Sequence, residues 1–112
     1  MNDKERQFRR NNTRRLFRHT SGIHVNCVRI NIGSTQEHER TKFDVCTGLA
    51  HLGHDFITEA ELENRTGRCD IVDLDDGIIY EIVHSEKEES LDMKKGKYPL
   101  PIKFIHTAKQ IG

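Results

Sequence analysis

The sequence predicts one small α/β domain built on a mixed sheet. Three observations carry this. Apolar residues recur at spacings of three and four between residues 35 and 52, the period of a half-buried helix. Short apolar or alternating runs bounded by Gly, Asp, Asn or Pro stand on both sides of that segment, as strands do. The length of 112 residues suits one domain better than two.

Element by element, residues 1–20 carry only Phe8, Leu16 and Phe17 as large apolar groups. They read as a flexible basic arm with a short helix around residues 5–18, ahead of a domain spanning 21–112. Ile23–Ile32 alternates on either side of a one-residue slip at Cys27–Val28, the pattern of a strand with a bulge. Ser34-Thr35-Gln36-Glu37 is a capping-box pattern opening a helix over 35–52, with a stripe of Phe43, Cys46, Leu49, Ala50 and Leu52. Gly53 stops it. Asp55–Leu62, Cys69–Leu74 and Ile78–His84 read as strands. Asp76-Gly77 suits a two-residue type I′ turn between the last two. Ser85 caps an expected helix over 86–95, Tyr98–Pro101 is a rigid connector, and Ile102–His106 is the final strand.

Zero net charge conceals a split. Residues 1–18 hold seven Lys/Arg against two acids, a net +5, so the remaining residues are −5. Arg6, Arg9, Arg10, Arg14, Arg15 and Arg18 are thus candidate contacts to a polyanion, nucleic acid first. The competing reading is a tail that solubilises the chain or folds back on its own acidic body. Hydrophobic residues make up 34% of the chain, which leaves room for a small core and no large enclosed cavity. No apolar run approaches the roughly 18 residues of a membrane span, and no secretory signal is visible. Cys27, Cys46 and Cys69 are odd in number and lack a CxxC pair. They read as small core residues in a reducing, cytoplasmic setting.

The carboxylates of the hairpin carry the chemistry. Glu81 lies among Ile78, Ile79, Tyr80, Ile82 and Val83, where an ionised group needs a cation, a metal or a shifted pKa. A two-residue turn sets Asp75 opposite Ile78 and Asp70 opposite Val83. Asp70, Glu81 and Val83 then share one face, with Asp70 and Glu81 as diagonal neighbours. A divalent ion can bridge such a pair, and Mg²⁺ suits an all-oxygen donor set. The alternative is structural: Asp70 bonds Arg68 or an amide, and Glu81 pairs with a lysine.

Gly67-Arg68-Cys69-Asp70-Ile71-Val72, followed at Glu81-Ile82-Val83 by the second acid, resembles the core of the PD-(D/E)XK nuclease superfamily. Within it the chain is similar to small CoiA-like and Holliday-junction-resolvase-like domains. The resemblance covers roughly residues 34–106 and includes the upstream helix with Glu37-His38-Glu39. It implies a restriction-endonuclease-like three-layer core, with a mixed central sheet of about four to five strands flanked by helices. It also implies Mg²⁺- or Mn²⁺-dependent endonuclease or exonuclease hydrolysis of DNA, branched or single-stranded substrates included. Asp70, Glu81 and the Ile82 carbonyl would be metal ligands. Glu39, or else Glu37, would be an outer acid. Val83 stands where the family has its lysine; Lys94 on the following helix is the nearest substitute, and Lys94 with Tyr98 loosely matches a QxxxY element. Lys94 also reads simply as part of a basic helix end. One site per domain implies a homodimer for cutting two strands.

Other candidates rank lower. His84 points away from Glu81, and His51 and His54 with Cys46 match no standard zinc spacing. Asp73, Asp75 and Asp76 with Glu86, Glu88 and Glu89 read as a solvated acidic rim. The rival function, supported by Val83, is a catalytically inactive nuclease-fold module for nucleic-acid binding or assembly. A third is a small interaction protein whose arm binds an acidic partner.

Overall fold

A computed structural model of the chain describes residues 2–18, 24–63, 67–83 and 98–107. It is α/β, in the order α1 (Asp3–Arg14), α2 (Gln36–His51), β1 (Phe56–Glu61), β2 (Arg68–Asp73), β3 (Ile78–Val83) and β4 (Ile102–His106). The strands form one mixed sheet of four in the order β1-β2-β3-β4. The first two pairings are antiparallel and β3–β4 is parallel. Parallel neighbours need a crossover, which the chain between Val83 and Ile102 supplies. The helix expected over 86–95, with Lys94, and His84 lie outside the described residues.

Helix α2 starts one residue later than the capping box implied. Thr35 is the cap: its backbone is extended and its side chain accepts the His38 amide at 3.2 Å. Glu37 therefore sits one position short of the box acid and is relieved of that role. The buried stripe is also rotated. It runs Glu39, Lys42, Cys46, Leu49, at spacings of three, four and three, whereas Phe43 is 55% exposed and Ala50 and Leu52 are exposed too. Cys46 and Leu49 belong to both stripes, but the face that packs on the sheet extends through Lys42 to Glu39 and so begins with an ion pair.

The segment expected as the first strand is not one. Residues 24–33 pair with no strand and take their hydrogen bonds mainly from side chains. Thr58 Oγ1 accepts the Arg29 amide at 3.0 Å and donates to the Cys27 carbonyl at 2.9 Å. Lys42 Nζ donates to the Arg29 carbonyl at 2.6 Å, and the Asn31 amide donates to Glu39. Asn26, in the left-handed region at φ 64°, exchanges bonds with Phe56 through its main chain and its amide oxygen. A buried backbone needs partners, and here the neighbouring side chains replace a ladder.

The β2–β3 connection is longer than two residues. Asp73 pairs with Ile78 and Val72 with Ile79, leaving Leu74–Gly77 as the turn. Asp73 Oδ1 accepts the amides of Asp75 (2.9 Å) and Asp76 (3.2 Å), and the Asp73 carbonyl accepts from Gly77 at 2.9 Å. Gly77 supplies the positive φ of 66° that closes the loop. A side chain that mimics a turn thus displaces the expected tight one.

Each sheet face has its own core. Ile57, Ala60, Leu62, Cys69, Val72 and Ile79 pack with Phe17 on one side, and Phe56, Ile71 and Ile82 pack with Cys46 and Leu49 of α2 on the other. Phe17 bridges Leu62 in antiparallel fashion and is buried, so the basic N-terminal segment is continuous with the domain core. Of the cysteines, Cys46 and Cys69 are buried as expected and Cys27 is exposed, because the strand that would have covered it is absent.

Candidate functional site

The sheet end near the start of α2 gathers the acids singled out from the sequence, together with a lysine that was not. Alternation slips between Ile57 and Ala60, both of which reach the core face away from α2. Glu59 takes a φ of 51°, an uncommon conformation for a side chain of its size. The slip turns Glu59 toward α2, where its Oε1 lies 2.9 Å from Lys42 Nζ. Lys42 is 0% exposed. Its ammonium donates to Glu59, to Glu39 (2.7 Å to Oε2) and to the Arg29 carbonyl, filling all three N–H positions. Burial alone would lower the Lys42 pKa and raise that of Glu39. Their mutual hydrogen bonding outweighs it, so Lys42 is raised and Glu39 lowered, and the pair stays charged.

Asp70 joins this cluster through His38. His38 Nδ1 is 3.4 Å from Glu39 and its Nε2 is 3.4 Å from Asp70 Oδ2. The same Asp70 oxygen accepts the Ile82 amide at 2.8 Å. Glu39, the preferred outer acid, is thus on the buried face and linked to Asp70 by one histidine.

Glu81 is 6% exposed. The β2–β3 ladder runs from Asp73 opposite Ile78 to Ile71 opposite Tyr80 and stops short of Asp70 and Glu81, where the Asp70 side chain takes the Ile82 amide. The shared face is only partly kept. Ile79 belongs to the core away from α2, and Tyr80 and Ile82 belong to the α2 side. Alternation therefore keeps Glu81 and Val83 together on the Ile79 side, while Asp70 is turned to α2. Both acids still act on Cys69: burial first, then the charges of Glu81 and Asp70, push its thiol up. Val83 is buried and apolar. Tyr98 comes to the same strand end, packing over Gly67 so closely that a Cβ there would lie 2.9 Å from its ring.

The other end of the sheet holds a second polar cluster. Asp73 is 0% exposed and Asp75 nearly so, which corrects the reading of these two as part of a solvated rim, whereas Asp76 is exposed as expected. His54 Nδ1 bonds Asp73 Oδ2 at 2.8 Å, with Asp76 3.9 Å away. Burial would lower the His54 pKa; the Asp73 bond and the charges of Asp73, Asp76 and Asp75 raise it on balance. Among the described residues, His54, Asp73 and Asp76 are the group whose ligand atoms fall within 4.8 Å of one another. Cys46 lines the same surface hollow as His54, and burial pushes its thiol up to about 12.

The basic segment turns inward. Arg10 Nε lies 2.8 Å from Asp75 and its NH1 3.2 Å from Asp55. Arg6 lies 3.5 Å from Asp75, and Arg18 pairs with Glu61 at 3.2 Å. Three of the six arginines expected to face a polyanion therefore hold carboxylates of their own chain. Arg9 also has an interaction, and Arg14 and Arg15 have no ion pair among the described residues.

Lys42 and His38 are the residues the sequence reading passed over. The signal was available: Glu39, Lys42, Cys46 and Leu49 form an unbroken helical face once polar residues are admitted to it. Among the described residues no helix is long and apolar enough to cross a membrane. No family model, curated protein or solved structure matches the chain.

Proposed function

We propose that the protein is a metal-dependent nuclease with a restriction-endonuclease-like core, hydrolysing DNA phosphodiester bonds. The observation that supports this reading is the gathering of acids at one sheet end: Asp70 on β2, with α2 bringing Glu39 alongside it through His38, and Glu81 on the neighbouring strand β3. The sheet order, with its single parallel pair beside the Glu81 strand, agrees with the expected core. Asp70, Glu81 and the Ile82 carbonyl offer only oxygen donors, which fits Mg²⁺ or Mn²⁺. When bound, such an ion supplies an activated water and charge neutralisation at the phosphate.

The chain's own residues have separate parts in this reading. Asp70 would hold the ion on the α2 face, where the Ile82 amide orients it; Glu81 starts from the other face and would have to turn to reach the same ion. His38 links Asp70 to Glu39 and can carry a proton between them. Lys42 fixes Glu39 and Glu59 by charge. Tyr98, packed on Gly67, narrows the strand end.

A second reading keeps the fold without catalysis, as a nucleic-acid-binding or assembly module. Two observations favour it: Val83 is buried and apolar, and Lys42 has its three donors occupied. Cleavage assays with Mg²⁺ and with Mn²⁺ on plasmid, single-stranded and four-way-junction DNA separate the two. Wild-type cutting that needs the ion, and falls by about 100-fold or more in Asp70→Ala and Glu81→Gln, is expected of a nuclease; losses of that size follow removal of one transition-state-stabilising group. Salt-sensitive DNA binding with no cutting by either ion would replace it with the second reading. Sedimentation of the cutting species would show whether it is the dimer that double-strand cleavage suggests.

A further inference from the structure

A cleft of about 490 Å³ opens beside the Glu59–Lys42 cluster, between residues 29–33 and the β1–β2 pair. That volume is in the range of small-ligand sites and too small for a core-sized partner. Arg29 stands on one wall and Arg68 on the other. Both are exposed, and neither has an ion pair among the described residues. The cleft also contains Glu59 and Glu61, but each already has a cation: Lys42 at 2.9 Å and Arg18 at 3.2 Å. Lys42 is shared with Glu39, so Arg29, Arg68, Arg18 and Lys42 stand against Glu39, Glu59 and Glu61, which leaves the cleft and its supports at +1.

The Arg29 wall is held in place. Its amide donates to Thr58 and its carbonyl accepts from buried Lys42, while Arg68 is fixed by its register with Glu61. Both guanidiniums therefore reach out from fixed points of the backbone, at a set separation, so less freedom is lost when they meet an anion. Beside them Ile30 is 67% and Ile32 96% exposed, an apolar surface within a polar cleft. A duplex presents phosphates and buries its base faces; a single strand presents both phosphates and apolar faces.

We infer that this cleft binds a single-stranded phosphodiester chain, with Arg29 and Arg68 taking phosphates and Ile30 and Ile32 taking sugar or base faces. The arm arginines are secondary, since three of them are committed inside the molecule. The choice of a phosphodiester rests on the nuclease reading; the site and its charge do not. Lys42 acts here as a positioning residue, through the Arg29 carbonyl.

Fluorescence anisotropy of a labelled oligothymidylate across a salt series, in EDTA so that no cutting intervenes, tests it. Wild type should bind with a salt-dependent affinity. Arg29→Ala/Arg68→Ala should weaken binding and flatten the slope of log K against log salt by about 1.4, the share of two phosphate contacts on a single strand. Arg14→Ala/Arg15→Ala should leave the slope nearly unchanged. Ile32→Ser should weaken binding at constant slope, and the methyl resonances of Ile30 and Ile32 should shift on titration. An unchanged slope in the Arg29/Arg68 variant, loss of the slope in the Arg14/Arg15 variant, preference for duplex of equal length, or no binding by wild type would each overturn it. Binding through the cleft without metal-dependent cutting would retire the nuclease and leave the cleft; cutting with binding indifferent to Arg29 and Arg68 would do the reverse.

Discussion

Lys42 is the residue on which the local structure turns. Removing its charge leaves Glu39 and Glu59 buried without a cation, and breaking a buried pair in this way costs about 3–5 kcal/mol. Lys42→Met is therefore expected to lose about that much in urea denaturation. Adding Glu39→Gln and Glu59→Gln should recover part of it, because no charge is then stranded. A destabilisation below about 1 kcal/mol would place Lys42 among weakly coupled surface pairs instead. His54 gives the corresponding pH effect. Its pKa is raised in the folded chain above the ordinary 6.5, so its contribution to stability is fully present below that value and is lost as pH rises through the raised one. Thermal stability should decline over that window in wild type. The decline should be absent in His54→Gln, and a slope that survives the substitution would assign it to another group.

At the scale of elements, α1 has no buried residue of its own, so charge holds it to the sheet. Arg6 and Arg10 meet Asp75, Arg10 meets Asp55, and Arg10 NH2 donates to the Gly53 carbonyl at 3.1 Å. Burial would raise the Asp75 pKa, but the Arg10 bond and the Asp55 amide lower it on balance. This contribution is thus present above the usual carboxylate pKa and is lost as pH falls through the lowered one. Asp75→Asn should speed hydrogen exchange across residues 3–14 and cost about 1–3 kcal/mol, the range for a hydrogen bond to a charged group. Exchange in the α2 amides should stay as in wild type, and equal acceleration there would mean the hairpin itself had loosened. The split into a +5 segment and a −5 remainder was visible in the sequence, and so was the possibility that one folds onto the other. Which carboxylates would be met was not, because Asp55 and Asp75 come together only when the β1 start reaches the hairpin.

For the whole molecule, the N-terminal segment and the sheet share a core. Phe17 is 2% exposed, bridges Leu62 and packs with Ile57, Val72 and Ile79. Phe17→Ala should cost about 3–5 kcal/mol, as large-to-small changes in a core do. In a domain of this size each kcal/mol lowers Tm by about 4–8 °C. A truncation that removes residues 1–15 and keeps Leu16 and Phe17 should cost less than the single substitution. The opposite order would show that α1, and not Phe17, anchors the segment. The same shared core fixes the geometry of both polar clusters, since one six-residue strand carries Asp70 at its third position and Asp73 at its last.

The sequence by itself determined the α/β class, the length of α2 and four strands to within one or two residues, because hydrophobic period and turn residues are local properties. It also brought Asp70 and Glu81 onto neighbouring strands. Tertiary structure decided the rest. The Ile23–Ile32 run has the alternation of a strand, yet residues 24–33 lie along α2 and β1, where Thr58, Lys42 and Glu39 satisfy the backbone. The hairpin register followed from Asp73 folding onto its own turn. The slip at Glu59 turns its carboxylate to Lys42 of α2. Each of these depends on a side chain from a distant segment, and a local pattern holds no record of which partner a polar side chain will find.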